Sequence, residues 1–248
     1  MNLTDFFREE PKVALGFSGG VDSSYLLYAG LQAGADIKAY YIKTDFQPQF
    51  EQEDAERMAR ELGANLEVIS MDICAQPDVV KNPENRCYYC KQVLFAAVVK
   101  KALEDGYPTV IDGTNASDAV EDRPGMRALT ELSVRSPLRE CGLTKAEIRR
   151  RSKEAGLFTW DKPAYACLAT RVPSGQRIHP ALLQKVERAE GALFSMGFRD
   201  FRVRVIGEDT AKIQLPEATL EQGVFRRVEI RKALAEDFST ILLDLKGR

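Results

Sequence analysis

Short apolar runs alternate with longer stretches of helical spacing along this chain, and that alternation sets the first expectations. Val13–Ser18 is a brief apolar run entering a glycine turn, and Ser23–Gln32 carries Leu26, Leu27 and Leu31 at helical spacing. Ile37–Lys43 and Asn65–Ser70 read as strands, Glu51–Leu62 (closed by Gly63) and Lys91–Glu104 as helices, and Thr109–Asp112 as a strand running into Gly113. Strands separated by helices of this length predict an α/β fold with a parallel sheet, whose ligands sit at the carboxyl ends of the strands. Thr144 and Glu147 have capping-box spacing and predict a helix through about Ala155. Pro163, Pro173, Gly175 and Pro180 then break the pattern, giving a boundary between residues 1–175 and 176–248. The second part reads as a small α+β domain: helix Ala181–Met196, strands Phe201–Ile206 and Ala211–Leu215, a helix near Phe225–Ala235, and strand Thr240–Leu245.

Composition narrows the setting. A net charge of −2 offers no overall positive field, which argues against nucleic acid and anionic membranes as partners. The longest apolar runs fall far short of the roughly 18 residues that span a bilayer, and no signal-peptide pattern opens the chain, so the expectation is a cytoplasmic protein. Five cysteines in such a chain point to thiol or metal chemistry rather than to a disulfide framework.

The phosphate-binding candidate is Ser18-Gly19-Gly20-Val21-Asp22-Ser23-Ser24, between the first strand and the first helix. Its glycines permit positive φ, its backbone N–H groups can converge on an anion, and the helix N-terminus adds a favourable dipole. Ser18, Ser23 and Ser24 offer hydroxyls to pyrophosphate oxygens, while Asp22 would repel bare phosphate and so reads as a Mg²⁺ holder or a loop brace. The bland alternative is a Gly-Gly turn before an Asp-Ser helix cap. Asp112-Gly113-Thr114-Asn115-Ala116-Ser117-Asp118 follows the next strand to reach the same sheet edge, either as a site loop or as a polar turn.

Cys87 and Cys90 open a helix, and Cys167 stands alone in Ala164–Thr170. Alone, the Cys-x-x-Cys fits a zinc half-site, a redox pair or core cysteines; three thiols could also hold a [4Fe–4S] cluster with one iron open. A zinc site would want a fourth ligand, and His179, otherwise a surface residue, is the only histidine. Cys74 and Cys141 lack partner spacing. Arg202 and Arg204, two apart on a strand, share a face, which is either solvated or anion-binding. Arg149–Arg151 and Arg226–Arg227 read as exposed helix faces.

SGGVDS at the first strand-to-helix junction resembles the signature of the PP-loop ATP pyrophosphatases, and DGTNASD is similar to their second cleft segment. The resemblance implies an ATP site lined by Ser18, Gly19, Gly20, Asp22, Ser23, Ser24, Gly113, Asn115 and Asp118, with the backbone of Ala39–Ile42, Tyr41 included, at the adenine. Together with Arg86–Lys91, Asp122–Gly125, Ser136–Leu138 and Lys162–Arg171, these segments resemble the ATP-dependent sacrificial sulfur transferases, the LarE family, over nearly the whole chain. That resemblance implies adenylylation of the carboxylates of pyridinium-3,5-biscarboxylic acid mononucleotide and their conversion to thiocarboxylates. In single-cysteine members, a cysteine at the position of Cys167 gives up its own sulfur. In three-cysteine members, the equivalents of Cys87, Cys90 and Cys167 bind a [4Fe–4S] cluster carrying an extra sulfide, the version this chain's trio favours. The resemblance also implies a homo-oligomer, a sulfide donor, and substrate phosphate binding by Arg202 and Arg204 with Glu190 nearby. The rivals are a cluster-dependent tRNA thiolase, disfavoured by the absence of a basic surface or added RNA module, an amide-forming synthetase with no need of the cysteine trio, and a nucleotide sensor without turnover.

Overall fold

A computed structural model describes residues 2–118 and 124–248. The helices are α1 (Leu3–Glu9), α2 (Val21–Gln32), α3 (Gln49–Leu62), α4 (Pro77–Val80), α5 (Arg86–Glu104), α6 (Pro124–Glu131), α7 (Pro137–Glu140), α8 (Lys145–Glu154), α9 (Pro180–Ser195), α10 (Leu220–Phe225) and α11 (Arg227–Leu234). The strands are β1 (Lys12–Gly16), β2 (Asp36–Lys43), β3 (Asn65–Ser70), β4 (Thr109–Ile111), β5 (Arg202–Ile206), β6 (Thr210–Gln214) and β7 (Thr240–Leu243). The chain divides into two compact units. The first comprises Met1–Thr44, Gln49–Met71 and Asn85–Lys162; the second comprises Asp45–Pro48, Asp72–Glu84 and Pro163–Arg248.

The first unit is α/β. Its parallel sheet has the order β3-β2-β1-β4, so β1 is central and its carboxyl end feeds α2. On one face Phe6, Phe7, Leu26, Leu27, Met58 and Ile148 pack with Val13, Leu15 and Tyr41. On the other, Ala14 and Tyr40 pack with Val98, Ala102 and Leu129. β1 buries both faces and therefore reads as a continuous apolar run. α1 was not anticipated, although Asn2 and Asp5 form a reciprocal capping box at its start. At α8 only half of the predicted box forms: Thr144 Oγ1 accepts from the Glu147 N–H at 3.3 Å, while the Glu147 carboxylate accepts from Arg150 and Arg151. No helix among the described residues is long and apolar enough to cross a membrane.

In the second unit β5 and β6 are antiparallel and β6 and β7 parallel, with α9 packed on β5 and α11. Two segments from earlier in the chain belong to it. The Leu168 N–H donates to Phe46 O at 2.9 Å, the Ile178 N–H to Val80 O at 2.8 Å, and the Gly175 N–H to Asn82 O at 2.8 Å. The helix expected near Phe225–Ala235 is α11, and a further short helix, α10, precedes it. Arg226, at φ −89° and ψ 14°, leaves α-helical geometry between them, and its guanidinium reaches Met196 O.

Candidate active site

The loop after β1 is shaped by contacts that side chains would block. Gly19 has φ +68°, and a Cβ there would stand 2.9 Å from the Ala55 backbone on α3. A Cβ on Gly113 would meet the Ser23 N at 2.9 Å, so the second loop lies directly against the first turn of α2. Inside the first loop, Ser18 Oγ accepts from the Gly20 N–H at 3.3 Å and shares a 3.0 Å hydrogen bond with Ser23 Oγ. Gly20 is the N-cap of α2 and brings no side-chain acceptor, leaving the first-turn N–H groups available to an anion.

Asp22 is the one carboxylate in that first turn. Its Oδ2 accepts from Lys145 Nζ at 2.6 Å, while its Oδ1 is buried with no hydrogen-bond partner among the described residues. Burial pushes the Asp22 carboxyl above its ordinary range, and the Lys145 ammonium only partly opposes this. A buried, half-satisfied carboxylate beside helix N–H groups fits a hard divalent cation better than it fits a structural brace. Ser24 Oγ is likewise buried without a partner among the described residues.

The second loop is ordered by its own side chains. The Asn115 N–H donates to Asp118 at 3.1 Å, Asn115 Oδ1 accepts from the Ser117 N–H at 2.8 Å, and Asp112 accepts from Ser136 Oγ at 2.6 Å. Ser18, Gly20, Asp22, Ser23, Gly113 and Asp118 line one cleft of about 480 Å³ together with Cys87 and Lys91. Cys87 is exposed and Cys90 half-buried in the first turn of α5, one helical turn apart on the same side of the helix. Asp122 and Arg123 of the motif read from the sequence lie outside the described residues, while Gly125 packs against Lys91.

Ala39–Ile42 is not among the residues lining that cleft, and the Tyr41 side chain is buried in the core. The backbone is placed differently. β2 pairs with β1 only as far as Tyr40, whose carbonyl accepts from the Phe17 N–H at 2.9 Å, yet it continues beside β3 to Lys43. The phase of that ladder turns the backbone N–H and C=O of Ile42 toward the side where β1 has already ended.

Sequence reasoning missed the lysines. Lys145 was read only as part of a helix start, and Lys162 only as part of a motif. Lys162 Nζ lies 3.5 Å from Gly19 O and 2.6 Å from Asp54, and its carbonyl accepts from Arg149 at 2.8 Å. Arg149, expected on an exposed face, is therefore a brace for the chain leading to Lys162. A basic residue preceding Pro163 was the only signal available.

In the second unit Cys167 is half-buried in the turn before Leu168–Arg171. Glu190 is fully buried: its carboxylate accepts from Arg171 Nε at 2.7 Å and Nη2 at 3.1 Å, from the Val203 N–H at 2.9 Å, and from Tyr165 Oη. Arg202 is buried too, donating to Phe201 O and Ala164 O, and burial lowers it to about 10. Arg204 is exposed and donates to Gln214 and to Thr170 O. His179 is the N-cap of α9, its Nδ1 accepting from the Leu182 N–H at 3.3 Å. Cys74 lies with Asp45 and Asp72, their ligand atoms within 4.8 Å of one another.

The chain matches no protein-family profile. It is 39% identical over 226 residues to an uncharacterised protein of Synechocystis sp., covering 90% of this chain and 83% of that one. It is 26% identical over 193 residues to the tRNA-specific 2-thiouridylase MnmA of Thermotoga sp., covering 61% of this chain and 54% of that one. With the pyridinium-3,5-bisthiocarboxylic acid mononucleotide synthase of Lactiplantibacillus plantarum it shares 31% identity over 248 residues, 99% of this chain and 90% of that protein. Near full-length identity at that level, on an α/β fold with a parallel sheet, shows that the chain belongs to the pyridinium-3,5-bisthiocarboxylic acid mononucleotide synthases, the LarE family of PP-loop enzymes.

Proposed function

We propose that this protein is an ATP-dependent sulfur transferase that adenylylates the carboxylates of pyridinium-3,5-biscarboxylic acid mononucleotide and converts them to thiocarboxylates. The observation that carries the reading is the cleft in which the first turn of α2, the half-satisfied Asp22 and the thiol of Cys87 face one space. A hydrolytic nucleotide site has no use for an exposed thiol at the phosphates; a site that activates an acid for attack by sulfur does.

A carboxylate is a poor electrophile. Its oxygen attacks the α-phosphorus of ATP, pyrophosphate leaves, and the acyl-adenylate gains AMP as a leaving group. The N–H groups of the first loop, with Ser18, Ser23 and Ser24, bind the departing pyrophosphate, and the edge of Ile42 accepts the adenine. Asp22 would hold Mg²⁺, which neutralises phosphate charge when bound. Lys145 keeps Asp22 oriented, and Lys162 stands ready to offset charge near Gly19. In the second unit Arg204, whose guanidinium reaches the surface, is the candidate for the substrate phosphate, with Arg202 behind it on the same strand face.

Sulfur can enter in two ways. The Cys167 thiolate attacks the acyl carbon and AMP leaves; loss of the Cα proton then breaks the Cβ–S bond, giving the thiocarboxylate and dehydroalanine. Alternatively Cys87, Cys90 and Cys167 would hold a [4Fe–4S] cluster, which supplies a transferable sulfide and spares the protein. The exposure of Cys87 and the half-burial of its neighbour on α5 suit ligation, so the cluster version is preferred. A cytoplasmic setting, a homo-oligomer and a sulfide donor complete the reading.

Anaerobic incubation with MgATP and the mononucleotide, followed by mass spectrometry of small molecule and protein, tests it. Thiocarboxylate product with unchanged protein mass supports the cluster version, and a protein mass loss of about 34 Da supports the sacrificial one. Pyrophosphate release without a sulfurated product rejects the proposal.

A further inference from the structure

The strongest unexplained feature of the second unit is a buried charge pair that the adenylylation chemistry does not use. The Arg171 side chain is 0% exposed and that of Glu190 2%, in a unit whose other ion pairs among the described residues lie at or near the surface. Taking both charges out of water is costly, and a well-packed apolar pair would serve stability as well. The pair is therefore better explained by what it touches.

Arg171 Nε and Nη2 grip Glu190, and Glu190 is fixed in turn by the Val203 N–H on β5 and by Tyr165. Nη1 points the other way: it donates to Ala166 O at 3.1 Å and to Thr170 Oγ1 at 2.7 Å. Thr170 Oγ1 donates to Cys167 O at 2.8 Å, and the Thr170 N–H donates to the same oxygen at 2.9 Å. Two more guanidinium groups hold the ends of the segment, Arg202 at Ala164 O and Arg204 at Thr170 O. The carbonyls on both sides of Cys167 are thus fastened to the sheet and to α9 by charged donors.

We propose that the Arg171–Glu190 pair is a positioning device for Cys167: the fork of Arg171, held in place by Glu190, sets the conformation of the cysteine turn. The inference rests on the reading of Cys167 as the sulfur-transferring residue, but its test does not depend on that reading alone. Arg171 and Glu190 are positioning residues, since neither touches a reacting atom.

The test uses the full chain, with alkylation by iodoacetamide followed at the Cys167 peptide at one fixed pH and with pyrophosphate release and thiocarboxylate formation measured separately. The double variant Arg171→Met with Glu190→Leu removes both charges and leaves neither buried alone. It is expected to unfold cooperatively, to alkylate the half-buried Cys167 about tenfold faster as its turn loses its anchors, and to lose about 100-fold in thiocarboxylate formation, with pyrophosphate release changed less than about threefold. Arg171→Lys keeps a cation without the fork, so it should show the same faster alkylation and the same loss of turnover. Thr170→Val, which keeps the pair and removes the relay to Cys167 O, should shift turnover in the same direction by less, and it serves where the double variant fails to fold. An unchanged alkylation rate and turnover, or an equal fall in pyrophosphate release and sulfur transfer, overturns the proposal. Wild-type protein that forms no thiocarboxylate while the variants still speed alkylation rejects the functional reading and leaves the positioning role standing.

Discussion

The phosphate loop of the first unit and the cysteine turn of the second are both short polar segments at the edge of a core, and they are held in opposite ways. Residues 18–24 are shaped by what is missing: no Cβ at Gly19 or Gly113, no side-chain cap at Gly20, no partner for Asp22 Oδ1 among the described residues. Residues 164–170 are shaped by what is added, with Arg171, Arg202 and Arg204 each donating to a carbonyl of the segment. The first arrangement keeps donors open for a ligand that comes and goes. The second spends its donors internally, as the nucleophilic role proposed for Cys167 requires of the segment that presents it.

The largest expected effect strikes the second region. Cys167→Ala should abolish thiocarboxylate formation while leaving pyrophosphate release at least partly intact, because pyrophosphate leaves in the adenylylation step, before sulfur enters. The comparison collapses if sulfurated product still forms in this variant. Cys87→Ala gives a finer reading: it should abolish transfer only if the cluster version operates.

Gly19→Ala comes next. At φ +68° with Ala55 backbone at 2.9 Å, a methyl group must shift both loop and helix, costing about 1–3 kcal/mol and displacing the converging N–H groups. The expected readout is a thermal midpoint no longer raised by MgATP, with the cysteine turn's alkylation unchanged. Full retention of nucleotide stabilisation would show that the close approach does not shape the site.

These regions also differ in how far the sequence disclosed them. The strand–loop–helix around Gly19 was legible because every determinant lies within one short stretch, and the apolar run of β1 marks a strand buried on both faces. Tertiary partners were not legible: Lys145 reaches Asp22 across 123 positions and Arg202 reaches Ala164 across 38, distances over which spacing carries no signal. Glu190 had been placed beside the arginines by resemblance, but its burial against Arg171 follows from α9 packing on β5, which no local pattern encodes.

A smaller effect concerns Asp22 and has a defined sign. Its carboxyl is raised in the fold, so the stability it contributes is fully present below the ordinary carboxylate range and is lost as pH rises through the folded value. Asp22→Asn should therefore abolish pyrophosphate release without lowering the thermal midpoint at neutral pH, and should flatten the fall in stability just above the ordinary carboxylate range. Marked destabilisation of the variant at neutral pH would instead make Asp22 a structural brace through Lys145.

The smallest effect separates two thiols of the same unit. Cys74 stands between Asp45 and Asp72, and burial together with those carboxylates pushes its thiol up to about 12. Such a thiol stays protonated through neutral pH and is a poor nucleophile, which sets Cys74 apart from the transfer role proposed for Cys167. Cys74→Ser should therefore leave thiocarboxylate formation within about twofold of wild type, because the hydroxyl keeps a donor beside Asp45 and no reacting thiol is removed. In peptide-resolved alkylation between about pH 7 and pH 9, Cys74 should label barely at all. Rapid labelling of Cys74 would mean that burial and the carboxylates of Asp45 and Asp72 do not govern its reactivity.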